Sequence, residues 1–448
     1  MTTTIRLSYL RLAGVVLCST LLLFGCAKNS VPDEEPVPVE PTENGQLVLT
    51  ASATDIDENE EVTFAVTVEG KPVEADVYVN NQKINSDKHV FTNAGDYEVI
   101  AKKNNYKDSD KIIIEVYKID VYVSGTQNTT ANITSTTQAL VWKNGELLHE
   151  LTNGTAFATT AGIALHNDDV YVGGTETSGL NRVAKYWKNN TAHNLTDGSK
   201  SAIVDDIAVD HVGNVYVIGT DNNPHKPVLW RNAVAHAVAA TNNNRYARAI
   251  ACSGSDLYIV GNSGSYANNP SVAILWKNSQ EIHLTNGAKA GRAFNVAVEN
   301  GDIYVLGDEK SKGPNEPGGQ QIGRYWKNGE TVLLDEDPTT YVGLVGGDIT
   351  VQDGEVYVCG AWGDGTTTDL VAVVWKNGKR LYKLTEGTSN SAAVAIAVGG
   401  KDVYTAGYEN NSKGKPVVKV WKNDKLLYAL TDGDRRALPS GIAVKRTK

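Results

Sequence analysis

Asp206-Ile207-Ala208-Val209 runs into a turn at His211-Val212-Gly213, and Asn214-Val215-Tyr216-Val217-Ile218-Gly219 follows. After a polar stretch over 220–226 come Val228-Leu229-Trp230 and a second turn at Asn232-Ala233. Apolar and polar side chains alternate with period two, and Val, Ile and Tyr dominate, as an antiparallel strand with one face against a core requires. The chain repeats this plan seven times. Trp142, Trp187, Trp230, Trp276, Trp326, Trp375 and Trp421 each stand in a Trp-Lys/Arg-Asn context, spaced 45, 43, 46, 50, 49 and 46 residues apart. The middle run recurs as Val121-Tyr122-Val123, Val170-Tyr171-Val172, Leu257-Tyr258-Ile259, Ile303-Tyr304-Val305, Val356-Tyr357-Val358 and Val403-Tyr404-Thr405. Asn144-Gly145, Asn328-Gly329 and Asn377-Gly378 are two-residue hairpin signals, because both central residues of that turn take positive φ. A strand-bearing period in the forties marks a propeller blade, so each repeat is expected to be a four-stranded meander.

The first repeat begins at its second strand, with no partner strand before it. The chain finishes on Ser440-Gly441-Ile442-Ala443-Val444, a first strand that matches Ala161-Gly162-Ile163-Ala164-Leu165. Laid beside the run at 119–125, it would close the ring and abolish an open sheet edge. The expected fold is all-β, with a seven-bladed β-propeller over 118–448 closed by its C-terminal strand. The repeat pattern (an apolar start, a Gly, Trp-x-Asn-Gly, then Leu-Thr-x-Gly) resembles the HAF-type extracellular repeats and, more loosely, NHL-type propellers. That resemblance implies an architecture and no activity, since propellers serve as lectins, scaffolds and enzymes alike. Ahead of the ring, 46–117 reads as a small β-sandwich with strands at 47–49, 62–66, 77–79, 97–99 and 112–116. It resembles a bacterial Ig-like domain, without the Cys and Trp hallmarks. The two units share almost no linker, which places the sandwich on the short-turn face of the ring.

The N-terminus carries an address. Arg6 and Arg11 precede an apolar run over 12–24 that is too short for a spanning helix and ends in Leu23-Phe24-Gly25-Cys26. This resembles a bacterial lipobox and implies a signal peptide over 1–25 with lipidation of Cys26. Residues 26–45 form an acidic, Pro-rich tether. Its Asp33-Glu34-Glu35 resembles the export signal of surface lipoproteins in Bacteroidota; the alternative is a simple solvated spacer. The expected location is the outer membrane through the lipid on Cys26, at the cell surface or else facing the periplasm. A net charge of −10 argues against nucleic acid, whose binding rests on basic contacts to phosphate. Cys252 and Cys359 fall on strands two blades apart and read as small buried hydrophobes.

Candidate ligand-binding residues lie in the long, variable loops and at the channel mouth, the division between scaffold and site that binding folds show. Trp362 is the one tryptophan outside the repeat position. With Asp364 beside it, it suits stacking on a sugar or gripping a peptide, or else it packs on a neighbouring blade. Tyr246, Tyr266, Arg292 and Tyr341 join it on the same face. One register position along the first strands reads Gly162, Asp206, Ala249, Asn295, Asp348, Ala395 and Gly441. Asp206, Asn295 and Asp348, with Arg248 nearby, are either polar anchors of a pocket or acceptors for unpaired strand N–H groups. The eight histidines show no metal-ligand spacing, so neither a metal nor a cofactor is expected. Asp55-Ile56-Asp57-Glu58-Asn59 opens like a calcium loop but lacks its later ligands.

No nucleophile elbow and no phosphate loop occurs. The expectation is a lipid-anchored envelope protein whose long-loop face binds a glycan or protein ligand. The first rival is a polysaccharide hydrolase or lyase using acids at the channel mouth, no catalytic residue being assigned. The second is a protein-assembly scaffold, resembling the propeller lipoprotein of outer-membrane assembly.

Overall fold

The computed structural model describes residues 44–131, 136–221, 226–238, 245–264, 271–313, 320–335, 341–363 and 369–448, the side chains of 341–346 excepted. The leader, Cys26 and most of the tether lie outside the described residues, as do Tyr266 and Asp364. Six antiparallel four-stranded sheets span 158–194, 202–237, 245–283, 291–333, 341–383 and 391–429, each in simple sequential order. The seventh assembles from both ends of the propeller. Ala437–Thr447 pairs with Ile112–Asn128, which pairs with Thr137–Lys143 and then Glu146–Glu150. First strands of successive blades touch all the way round, from the closing strand through 158–166 to 391–399 and back. The chain is a closed seven-bladed propeller.

The Trp-Lys/Arg-Asn motif is a corner clasp, and every part of it has a physical task. The seven tryptophans are all buried, at 4 % exposure or less. Trp187 packs among Tyr122, Ala139 and Val141 of the preceding blade. The glycine three residues past the second-strand tyrosine leaves room for that ring: a Cβ on Gly174 would sit 2.7 Å from Trp187, and one on Gly307 2.5 Å from Trp326. The following cation lies over the second-strand tyrosine, as Lys143 over Tyr122 at 5.0 Å and Lys327 over Tyr304 at 5.2 Å. The asparagine takes positive φ in all seven blades (Asn144, Asn189, Asn232, Asn278, Asn328, Asn377 and Asn423), a conformation that Asn tolerates better than most residues. Its Oδ1 accepts the amide that opens the second strand, at 2.8 Å from Val121 and 2.9 Å from Ile303. Its Nδ2 donates to the residue just before that amide, an acid in six blades, as Asn328 to Asp302 at 2.8 Å, and Asn214 in the other.

Residues 46–117 form a small sandwich on a core of Leu47, Ile56, Val62, Phe64, Phe91, Val99, Ile114 and Val116. Its last strand does not stop at the expected boundary near 117. Ile112–Asn128 runs unbroken from the sandwich into blade one, so the join is a continuous strand. The join is reinforced at the end of the closing strand. The Arg446 guanidinium lies 3.9 Å above the Tyr117 ring, donates to Asp57 at 2.7 Å and pairs with Asp55. The sandwich therefore sits on the short-turn face, opposite the ends at which second strands hand over to third strands.

Two tests address this architecture. Deleting 438–448 strips the inner edge of blade one along its ladder from Thr126 to Lys118; loss of a cooperative thermal transition is expected, and an undiminished melt would contradict the closure. Asn328→Ala should cost about 2 kcal/mol in chemical denaturation, through a lost amide partner and a disfavoured φ. Asn328→Gly, which keeps the φ, should cost about half as much; equal losses would show that conformation contributes nothing at this corner.

Candidate functional site at the channel mouth

Every first strand carries a bulge just before the register position read from sequence. The breaks fall between Thr160 and Gly162, Val204 and Asp206, Ala247 and Ala249, Ala293 and Asn295, Gly343 and Asp348, Ala393 and Ala395, and Pro439 and Gly441. A bulge disrupts the ladder and re-aims the chain, here turning the next amide toward the channel. Asp206 accepts the amide of Ile207 at 2.8 Å on one oxygen and that of Ile250, in the next blade, at 2.9 Å on the other. Asp348 repeats the arrangement with Ile349 at 2.7 Å and Ile396 at 3.0 Å. Asn295 accepts from Val296 at 2.7 Å and donates to Asp348 at 2.6 Å. Three side chains thus satisfy five strand amides and tie blades three to four and five to seven.

These residues meet in one cavity of about 220 Å³, with Asp205, Arg248, Gly162, Ile163, Ser440, Gly441 and Ile442 in its wall. Burial pushes the Asp206 carboxyl up to about 8, its backbone donors opposing the rise and the charges of Asp348 and Asp205 adding to it. Burial likewise raises Asp348 to about 6 against its own donors, and Asp205 to about 6 against Arg248 and Thr220. All three keep some contact with solvent through the mouth. At neutral pH the site therefore holds one largely protonated carboxyl, two mostly ionised ones and an exposed guanidinium.

The other candidates do not converge there. Arg292 is committed to the buried carboxylate of Asp308 and lies over Phe294 at 4.9 Å. Trp362 packs against the core shared by blades five and six, and Arg380 covers its ring at 4.2 Å. Of the two readings the sequence leaves open for Trp362, the structure shows the packed one, because the strand Glu355–Gly363 carries the ring onto the sheet. Tyr246 stands in the strand Arg245–Ser253, half-buried. Tyr341 opens the strand Tyr341–Gln352, its side chain outside the described residues. Sequence reasoning missed a cleft of about 630 Å³ on the long-loop face, between blades one and two. Phe157, Thr159 and Thr160 wall one side, Leu438, Pro439 and Ser440 the other, with Arg436 and Asn128 at the rim. Ser440 lines both cleft and mouth. The signal was a pair of first strands with hydroxyl residues, Thr159-Thr160 and Ser440, just ahead of the register glycines, which only ring closure makes neighbours.

Larger hollows of about 780 and 910 Å³ flank the sandwich, along its short edge strands and away from the ring. One carboxylate trio among the described residues, Asp57, Glu60 and Asp402, is close enough to share an ion. It is already paired, with Arg446 at 2.7 Å, Lys401 at 3.9 Å and Lys422 at 2.6 Å.

Fold and site define a closed seven-bladed propeller with a polar channel mouth and an adjoining cleft. No family model matches the chain, and no curated protein does. Solved structures offer distant likenesses to propeller domains. A nidogen/laminin complex is 11 % identical at a TM-score of 0.34, over 56 % of this chain and 89 % of that one. The acylaminoacyl peptidase of Pyrococcus horikoshii is 10 % identical at 0.39, over 86 % of this chain and 52 % of that one, so the match spans about half the peptidase. The extracellular domains of Drosophila Semaphorin 1b are 10 % identical at 0.36, over 63 % and 80 %. Nothing about activity passes from these to the present chain.

The mouth carboxylates make a pH signature. A carboxyl raised on folding contributes stability that is full below its unfolded value, near 3.8, and is lost as pH rises through its folded value. For Asp206 that window runs from about 4 to about 8. The melting temperature should fall across it, and Asp206→Asn should flatten the fall; an unchanged slope in that variant would show that Asp206 ionises normally.

Proposed function

We propose that this protein binds a glycan on its long-loop face, in the cleft between blades one and two. The observation that carries the reading is the cleft's composition. Thr126, Thr159, Thr160 and Ser440 bring hydroxyls to its wall beside the apolar Phe157, Leu438 and Pro439, while the Thr137 hydroxyl is donated to the Ala158 carbonyl. A sugar presents the matching surface, an apolar ring face edged with hydroxyls. The lipobox resemblance at 23–26 supports an anchor on Cys26, and a lipid there would hold the chain at the outer membrane, at the surface or facing the periplasm. The sandwich on the short-turn face would then lift the cleft away from the bilayer.

Catalysis is the weaker reading. Each carboxylate at the mouth already accepts hydrogen bonds, and Asp206 and Asp348 hold two backbone amides apiece. A protein partner has one observation of its own. Leu381, Leu426, Leu427, Leu147 and Leu148 are exposed on the outer strands of blades six, seven and one, which are neighbours in the ring. Exposed apolar residues also stand on the outer strands of blades three, four and five, at Val234, Ile282 and Leu333, so the apolar edge that a partner would use is spread round the ring.

The test is capture of a polysaccharide and oligosaccharide panel by the soluble chain from residue 27, reading retention and product release together. Retention without product is expected. Phe157→Ala and Arg436→Ala should each weaken it about tenfold while stability stays within ~1 kcal/mol of the parent. Trp362→Ala should do the reverse, costing about 2–3 kcal/mol through a partly buried cavity while leaving retention intact. Release of product would establish an enzyme. Silence across the panel would move the reading to a protein partner on the leucine rim, sought by crosslinking.

A further inference from the structure

Seven amides ring the channel at one register position, and five of them have side-chain acceptors. The remaining two belong to Ile163 and Ile442, in adjacent blades, directly after Gly162 and Gly441. Their ladder partners are Val172 and Val123, equivalent to Ile259 opposite Ile250. The Ile250 amide leaves the ladder for Asp206, so the same register turns the Ile163 and Ile442 amides into the channel. Among the described residues neither has a side-chain acceptor, and both residues wall the cavity of about 220 Å³. A strand amide that faces a cavity without a protein acceptor is free to bond an incoming oxygen.

The cause lies in one position. In blades three and six an aspartate caps its own following amide and that of the next blade. The position that would cap both Ile442 and Ile163 is Gly441. A Cβ built there would lie 3.0 Å from the Ile163 nitrogen, so the glycine keeps that amide open. The cavity is smaller than the ~300–1,000 Å³ of sites for drug-sized ligands and suits one small ring. Through Ser440 it adjoins the larger cleft.

Building on the glycan reading, we propose that the channel mouth captures the terminal sugar of the chain. One of its oxygens sits on the Ile163 and Ile442 amides, and its hydroxyls donate to the remaining lone pairs of Asp206 and Asp348. The next units lie in the cleft against Phe157 and Pro439. The protein is then a reader of chain ends.

The probe is the polysaccharide that the wild-type chain retains, used as competitor intact and after cleavage to oligosaccharides by an endo-acting hydrolase. At equal mass the cleaved material should compete more strongly, in proportion to its ends. Gly441→Asp places the acceptor of blades three and six opposite both open amides; it should keep or raise the melting temperature and weaken retention at least tenfold. Should crowding at residue 441 prevent folding, Ala395→Asp covers the Ile442 amide from a residue that already has a Cβ, with the same expected direction. Competition that follows mass and ignores ends overturns the proposal. So does undiminished retention by a folded Gly441→Asp or Ala395→Asp chain, and if Phe157→Ala loses capture in that case, the cleft reading survives alone. A wild-type chain that retains no glycan ends both readings.

Discussion

Backbone amides that the sheet cannot satisfy govern this molecule at two radii. At the short-turn corner of every blade, the amide that opens the second strand finds its acceptor in an asparagine side chain at the end of the third. The same asparagine must adopt positive φ for the chain to turn. Few other side chains both tolerate that conformation and carry an oxygen at that reach, which is why it recurs in each repeat while surrounding residues vary. The acid, the cation and the tyrosine around it complete a corner that locks second, third and fourth strands together. Tryptophan then couples the corner to the preceding blade. The ring rests on seven copies of one hydrogen-bonded turn.

At the inner radius the solution is uneven, and the unevenness is informative. A bulge in each first strand turns one amide into the channel, yet acceptors occur at only three of the seven register positions. Two aspartates serve two amides each, because a carboxylate has an oxygen for its own strand and another for the next blade. Of the four positions left small, the two glycines, Gly162 and Gly441, lie in adjacent blades where the chain's end closes against its beginning. The closure that removes the open edge of blade one also brings together the two channel amides that lack a side-chain acceptor among the described residues. The cleft lies beside that seam, and the proposed glycan site follows from both.

The same geometry explains why the loop candidates disperse. Arg292 and Trp362 look available in sequence because nothing local engages them. In the fold, Asp308 on the paired strand takes the guanidinium, and Arg380 from the fourth strand of the same blade covers the indole. A long side chain beside a sheet is more readily held by a cross-strand partner than left open to solvent. Asp205 and Arg248, on bulge residues that the ladder does not hold, are the ones left to face the mouth.

Much of the architecture was legible in the chain itself. A period of 43–50 residues, strand alternation within it and the match of 440–444 to 161–165 suffice for seven blades and a closing strand, because these are local patterns repeated. The inner register, with Asp206, Asn295 and Asp348 among small residues, was visible for the same reason. Three features required the tertiary structure. The sandwich and ring share one strand, which no local pattern distinguishes from two strands in succession. Trp362 is covered by a residue 18 positions further on in the chain. The cleft sets Phe157 and Thr160 against Leu438 and Ser440, residues that ring closure alone brings together. Repetition writes the scaffold into the sequence. The site lies at the seam, where the repeat closes on itself and contacts depend on the two ends meeting.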